Sequence, residues 1–436
     1  MESKSMNRFI PLKLLVKCLE EEDVFAIYED LSKRNFSFVA WGVRKHVVGD
    51  SEETLKSLED AISEAGYVET PVKVFKGGLV GYISYDAVRL WEKILNLKKH
   101  PENWPLIEMF EPINVVLYDY QRGLVYVNIK GELPSACKRE DTLNNDMTPK
   151  FRFYDESLPK RDFVEAVNKV LEYVRDGYAF QVVLSRFYRY TFDGLPSELY
   201  FKLREINPSP HTYYIKFYDR IVIGTSPELL YRVEDGLIET YPIAGTRPRG
   251  LTEEEDRKLE LELMDSEKDR AEHLMLVDLA RNDIGKICEY GTVKVEKLMY
   301  IEKYSHVQHI VSKVVGKINK RFNHVDILKA LFPAGTVSGA PKVFSMNLIE
   351  ELEEYKRGPY AGVVGLMSKN GNSEVAIAIR SAFIYKDIVR IQAGAGIVYD
   401  SVPELEYEET ENKLASLKKS NIELHKVKIN GYSSNN

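Results

Sequence analysis

Apolar positions along this chain recur at two periods, and the switches between them predict the elements. A Glu-rich stretch from Glu52 to Ala65 has helical spacing, and Val72 to Phe75 and Gly81 to Tyr85 read as strands around Gly77, Gly78 and Gly81. Val115 to Tyr118 and Leu124 to Ile129 form a strand pair across the turn residues Asp119 to Gly123. Farther along, Phe163 to Val174 is helical and stops at Gly177, while Phe180 to Tyr190 is β-branched and aromatic, as a buried strand requires. Tyr213 to Phe217, Ile221 to Ile223 and Leu229 to Val233 continue a meander. A capping box at Thr252-x-x-Glu255 then opens one long helix running to Leu279. The last third predicts a helix near Phe344 to Tyr355, strands at Gly362 to Ser368, Glu374 to Tyr385 and Val389 to Ala393, and a final helix. Hairpin-joined strands with segregated long helices predict an α+β fold.

The polar stretch from Gly131 to Lys150, with Pro134 and Pro149, marks a boundary. It predicts an N-terminal region over 1–150, a larger unit over 151–425 and a flexible tail over 426–436. With 44% hydrophobic and 29% charged residues, the 436-residue chain can build well-buried cores, which excludes disorder for most of its length. Sixty basic against 67 acidic residues give a net charge of -7, which argues against a nucleic-acid-coating protein. No apolar run near 18 residues and no leader pattern is present, so neither a membrane protein nor a secreted one is expected. Cys18, Cys137 and Cys288 form no CxxC pair, predicting a reduced, intracellular, cytoplasmic chain. The four glutamines beside abundant Lys, Glu and Tyr are a thermophile's composition.

Two glycine clusters invite a nucleotide and fail the test. Gly394 to Tyr399 lacks the third glycine of a dinucleotide fingerprint, and Gly335 to Lys342 lacks the spacing and ending of a P-loop. Their glycines let backbone amides approach an anion such as a carboxylate, unless they are ordinary tight turns. Asp269 and Glu272 stand three apart on a helix, as do Glu406 and Glu409, with Lys413 a turn beyond. Two such pairs brought together would suit Mg²⁺; the competing reading is a solvated charged face. Glu404 instead belongs to a capping box with Ser401, Pro403 lying in the first turn. His306 and His309 without a third ligand make no zinc site, and no nucleophile elbow or activated cysteine is present. Side-chain chemistry alone reaches an α+β enzyme acting on a small anion, with Mg²⁺ as candidate cofactor.

Six strings, in their joint order, carry a resemblance. They are Phe180 to Arg186, Ser226 to Leu230, Tyr241 to Pro248, Glu272 to Asp283, Gly335 to Lys342, and Gly394 to Tyr399 with the helix after it. Together they resemble the chorismate-utilising enzymes, and among those the anthranilate synthase component I branch. The resemblance covers nearly all of 151–425 and, more loosely, Gly77 to Arg89. It implies that family's layered sandwich of antiparallel sheets flanked by helices. Water-activating relatives carry Lys before Val-Val-Leu, where this chain has Gln181, and an amide is no general base. Relatives whose own lysine attacks carry it in Pro-Ile-x-Gly-Thr, where this chain has Ala244 followed by Gly245 and Thr246. Ammonia is the nucleophile that remains, giving anthranilate and pyruvate in tryptophan biosynthesis, a carbon–oxygen lyase reaction.

The resemblance also implies roles. Glu272 and Glu409 hold Mg²⁺ directly, with Asp269 and Glu406 acting through waters. Glu228 protonates the departing C4 hydroxyl, and His309 lies near it. Thr336, Tyr360, Arg380, Lys413 and the backbone of Gly394, Ala395 and Gly396 bind substrate. No Gly-x-Cys-x-Gly glutaminase segment is present, so a separate glutamine amidotransferase subunit is expected to supply ammonia within a heterotetramer. Family members under tryptophan feedback show Leu-Leu-Glu-Ser and Asn-Pro-Ser-Pro-x-Met. Here Asp30 replaces the serine, and Asn207, Pro208 and Ser209 lead to Thr212 in place of Met, which predicts weak or absent inhibition. Alternatives are another chorismate aminase, making 4-amino-4-deoxychorismate or aminodeoxyisochorismate, and a non-catalytic paralogue that binds an aromatic ligand.

Overall fold

Alternate side chains of strand Val24–Asp30 enter two different cores: Val24, Ala26 and Tyr28 face one, Phe25 and Ile27 the other. Strand His211–Phe217 divides likewise, with Tyr213, Ile215 and Phe217 opposite Tyr214. A strand covered on both faces is apolar wherever its side chains enter those cores, which explains the unbroken run from Val24 to Tyr28; the buried Glu29 and Asp30 that follow are paired with Arg204 and Arg232. The computed structural model describes residues 10–32, 34–70, 72–130, 133–138, 148–304 and 307–418. Among these, 19 strands join in one ladder in which every named pairing is antiparallel. One wing runs Lys150–Glu156, Gln181–Asp193, Ile388–Ile397, Ser381–Tyr385, Arg220–Ser226, His211–Phe217, Val24–Asp30, Phe36–Gly49. The other runs Gly78–Ile83, Val363–Ser368, Ser373–Ile377, Leu229–Glu234, Leu237–Thr240, Val307–Lys317. Strand Ile107–Asp119 pairs with both Phe36–Gly49 and Gly78–Ile83, so it is the seam between the wings.

The wings face each other, with Tyr82 of one set edge-on to Phe217 of the other at 5.9 Å. The core between them continues beneath helices Glu52–Glu64, Glu267–Gly285 and His324–Leu331. Helices Leu12–Leu19 and Pro196–Ile206 cover the outer face of the first wing. A third cluster packs helices Lys160–Arg175 and Lys342–Leu352, with Tyr407 of helix Pro403–Lys418, onto Val182, Leu184, Ala395 and Ile397. This is the α+β layered sandwich that the sequence predicts. Residues 1–150 contribute strands to both wings.

Five local expectations are corrected. Val72 to Phe75 is no strand: the Thr70 hydroxyl donates to the carbonyls of Val72 and Phe75, at 2.9 and 2.6 Å, and wraps the segment into a turn. The single helix to Leu279 is two, Glu253–Asp265 and Glu267–Gly285, because the Ser266 hydroxyl accepts from the Asp269 amide and starts a new helix. The strand from Glu374 to Tyr385 breaks after Ile377 and resumes at Ser381, with Arg380 at φ 54° between. The Ser401 hydroxyl accepts from the Val398 amide and its own amide donates to the Val398 carbonyl, so it closes a turn on Val398 in place of a box with Glu404. Lastly, Cys18 and Cys137 are joined, with Cα atoms 5.1 Å apart, and Cys288 alone is free. Helix Leu12–Leu19 lies against the short turn Ser135–Lys138, a juxtaposition that no local spacing reveals across 119 residues. The predicted tail 426–436 lies outside the described residues, as does His306. No helix of the described residues is long and apolar enough to cross a membrane.

Candidate active site

Glu228 sits at the corner between strands Arg220–Ser226 and Leu229–Glu234. The Ser226 hydroxyl accepts from its amide at 3.3 Å, and its carbonyl accepts from the Ile377 amide at 3.0 Å. Its carboxylate accepts a 2.6 Å hydrogen bond from the Thr336 hydroxyl, presented by the turn Gly335–Val337. Burial pushes the Glu228 carboxyl up to about 7, against the opposing pull of the Thr336 hydroxyl and the Lys413 charge. A cavity of about 50 Å³ opens beside it, lined by Thr336, Pro242, Leu276, Leu279 and Ala280 among others. A carboxyl with that affinity, in an apolar setting, is a proton donor near neutral pH.

The broken strand places the next group. Strand Ser381–Tyr385 pairs with Ile388–Ile391 and no farther, so the later part of Ile388–Ile397 is laddered only to Gln181–Asp193. In a strand, the N–H and C=O of one residue point the same way. Gly394, whose carbonyl accepts from Lys413 Nζ at 2.8 Å, therefore turns its amide away from its ladder partner, and Gly396 two residues on does the same. Arg380 lies at this opening, within electrostatic reach of Tyr360 and Glu409. A Cβ on Gly394 would stand 3.1 Å from the Tyr360 hydroxyl, and one on Gly396 only 2.5 Å from Gln181 Nε2. The glycines thus leave room for two side chains as well as exposing backbone. Ala395 between them is buried and packs in the third core cluster. Gln181 is buried, and its Oε1 has no protein partner among the described residues.

His309 pairs with Thr246 in the ladder. Its Nδ1 is 2.9 Å from the Gly245 carbonyl, which can only accept, so Nδ1 carries the proton; the Thr246 hydroxyl is 3.1 Å away. Burial, and the charges of Arg380 and Lys413, lower the affinity of this imidazole for a second proton and keep it neutral. Gly245, at φ 63°, marks the irregularity between Ala244 and Thr246 in that ladder, and Ala244 is buried opposite Ile310. Tyr304, which sequence reasoning missed, stands edge-on to His309 at 5.7 Å.

The four acidic residues come from helices Glu267–Gly285 and Pro403–Lys418. Burial first, then the charges of Asp269 and Glu409, raises the Glu272 carboxyl; burial and Glu409 raise Glu406. Both pairs therefore feel one another across the two helices. Asp269 accepts from Arg247 at 3.0 Å, Glu409 accepts from Lys413 at 2.6 Å, and Lys268 offsets charge at both Glu272 and Glu406. Among the described residues no three His, Cys, Asp or Glu side chains stand close enough to form a ready metal centre. The donor set is nonetheless all oxygen and mutually repulsive, the chemistry that fits a hard cation. The Lys413 ammonium, which the resemblance directs to a substrate carboxylate, bridges Glu409 and the Gly394 carbonyl in this structure. Arg247 and Lys268 were legible only as ordinary charged neighbours.

The residues matched to a feedback site divide between two faces: Asp30 points to the other wing, and Thr212, by strand alternation, to the outer side with Glu29. Asp30 pairs with His211 in the ladder and Glu29 with Thr212, so two strings far apart in sequence become neighbours. Asp30 is buried and accepts from Arg232 at 2.8 Å and from the Ser32 amide at 2.9 Å. Arg232 also donates to Glu374 at 2.7 Å. The Asn207 amide donates to the Thr225 hydroxyl at 3.1 Å, and Pro208 and Ser209 form the connection that follows.

An antiparallel sandwich with a protonatable carboxyl, backbone amides turned out of the ladder and paired carboxylates on two helices is the setting for which sequence comparison gives a family. The profile of the chorismate binding enzymes matches residues 23–419, and the chain belongs to that family. Among its relatives, anthranilate synthase component 1 of Saccharolobus solfataricus is 54% identical over 423 residues, covering 96% of this chain and 99% of that protein. Anthranilate synthase component 1 of Aquifex aeolicus is 45% identical over 394 residues, covering 85% of this chain and 80% of that one. The crystal structure of anthranilate synthase component I from Streptococcus pneumoniae superposes with a TM-score of 0.78 at 33% identity, over 96% of this chain and 95% of that one.

Proposed function

We propose that this chain is the large subunit of an anthranilate synthase, converting chorismate and ammonia to anthranilate and pyruvate. What carries the reading is the pair of residues at the two nucleophile positions. Where the relatives that use water or their own amine carry lysine, this chain has the amide of Gln181 and the methyl of Ala244, which leaves ammonia as the nucleophile. Glu228 hands its proton to the C4 hydroxyl, which leaves as water while ammonia adds at C2. Loss of the C2 proton with elimination of pyruvate then gives the aromatic ring. His309, fixed as the Nδ1–H tautomer, stays neutral beside the leaving group. Arg380, Tyr360, Lys413 and the outward amides of Gly394 and Gly396 hold the enolpyruvyl carboxylate and orient the ring. Glu272, Glu409, Asp269 and Glu406 would hold Mg²⁺, which supplies charge neutralisation at the ring carboxylate.

Residues 1–150 serve control and assembly in this reading, and a glutamine amidotransferase subunit supplies ammonia in the cytoplasm of a thermophile. The test is a product assay on the isolated chain with chorismate, Mg²⁺ and ammonium salt at alkaline pH, followed by anthranilate fluorescence and mass. Anthranilate should form with ammonium alone, and with glutamine only when the partner subunit is added. Glutamine-dependent turnover by the isolated chain would refute the subunit assignment. A 4-amino product, or none, would refute the activity.

A further inference from the structure

Arg357 is 1% exposed and sends all of its donors inward. Its Nε and one terminal nitrogen form a fork on Glu353, at 3.0 and 2.6 Å. The other terminal nitrogen donates to the Val337 carbonyl at 2.5 Å, and the forked one also reaches the Val183 carbonyl at 2.7 Å. The guanidinium lies 4.6 Å from the Tyr85 ring centre and 5.8 Å from that of Tyr360. Glu353 in turn accepts from the amide and hydroxyl of Ser185, at 2.7 and 2.9 Å. One buried cation therefore grips two backbone segments that are distant in sequence. Val337 directly follows Thr336, the donor to Glu228. Val183 stands two residues after Gln181 in its strand. A buried ion pair adds little net stability over an apolar substitute of the same shape, and what it adds is geometry.

We propose that Arg357, held by Glu353, is a positioning residue for the general acid: by anchoring the Val337 carbonyl it fixes the Thr336 hydroxyl on Glu228. The inference rests on the role proposed above for Glu228. Arg357 does not touch the reacting atoms; it acts through the turn Gly335–Val337. Releasing that turn removes the hydrogen bond that stabilises the Glu228 carboxylate, and burial then acts unopposed by it. Of the other groups that face Glu228, Lys413 opposes protonation as a cation and Tyr304 is a neutral phenol. Tyr241 and Asp283 line the same cavity. None of these is held by Arg357, so their influence carries over unchanged into a variant.

The test is the pH profile of kcat for Arg357→Gln, Arg357→Lys and the unaltered chain, with free ammonia and Mg²⁺ held constant across the series. Arg357→Gln should lower kcat by about tenfold to a hundredfold, as a slightly misplaced catalytic group does, while KM for chorismate stays within about threefold. Its alkaline limb should move to higher pH, in the same direction as that of Thr336→Val. Arg357→Lys, which keeps the charge and can reach one carbonyl but not both, should lie between. Should Arg357→Gln fail to fold, the limb of Arg357→Lys decides alone. An unmoved limb in an active variant overturns the positioning role, even where kcat and thermal stability both fall. No anthranilate from the unaltered chain overturns the activity, and this inference with it.

Discussion

The Thr336 hydroxyl lies 2.6 Å from a carboxylate oxygen of Glu228 and is its one hydrogen-bond donor from a side chain among the described residues. That bond lowers the affinity of Glu228 for its proton, while burial raises it, and burial wins. The balance decides how the site behaves as pH changes.

A carboxyl raised from its ordinary 4.5 to about 7 destabilises the fold once the unfolded chain would ionise it. The penalty starts above pH 4.5, grows until pH passes about 7, and is constant beyond. Glu228→Gln should therefore be more stable than the parent by roughly 3 kcal/mol at about pH 8, and no more stable at about pH 4. Its kcat should fall by about a hundredfold or more. Denaturant titrations at the two pH values, beside the ammonium assay, check both. Equal stability at the higher pH would show that burial does not raise this carboxyl above its ordinary range.

Mg²⁺ should raise the melting temperature of the chain in a concentration-dependent way, because an ion bound only by the folded state stabilises it by mass action. Glu409→Gln and Glu272→Gln should lose most of that shift, and chelation should abolish turnover until Mg²⁺ is restored. A melting curve that Mg²⁺ leaves unmoved in the parent counts against the four-carboxylate site.

Tryptophan should leave the ammonium-dependent rate unchanged at concentrations that saturate a typical feedback site. Asp30, the charge that replaces a serine of the feedback motif, is committed to Arg232 and Ser32, and Arg232 is shared with Glu374. An incoming amine would have to break a buried ion pair, leaving a charge uncompensated. A calorimetric titration that returns micromolar binding would refute this.

Reducing the Cys18–Cys137 bond should destabilise the fold by about 2–5 kcal/mol, since it closes a loop with a sequence separation of 119 residues. The comparison is Cys18→Ser, or the parent in dithiothreitol, against the oxidised parent in denaturant. The pH limb of kcat should not move, because the bond lies in the outer cluster with Leu15 and Leu199, away from Glu228. No loss of stability would mean that the thiols are unpaired in solution.

Local patterns announced many of the elements, because capping, turn chemistry and apolar period are short-range properties, whereas Glu228, His309, Tyr360 and Arg380 stood out only through the resemblance of the strings around them to a family. Thr252 accepts from the Glu255 amide as its spacing predicts. Ser266 has the same chemistry, yet it lies inside a continuing apolar period, which reads as one helix where two stand. The interruption at Arg380 was equally hidden, since Glu374 to Tyr385 is apolar enough to read as one strand and only the backbone angle betrays the break. Arg357 was invisible for another reason. Its partners are carbonyls, which every residue carries, and only the fold brings those of Val183 and Val337 together. The disulfide and the Asp30–Arg232 pair likewise depend on long-range packing, which no single stretch of sequence encodes.

The turn at Arg380 has one more consequence. Between Ile377 and Ser381 the chain crosses from one wing to the other, so the strand that resumes reaches its neighbour only as far as Ile391 and leaves the stretch with Gly394 and Gly396 uncovered on that side. The window beside the two glycines is the gap a chain leaves in one layer when it arrives there late from the other.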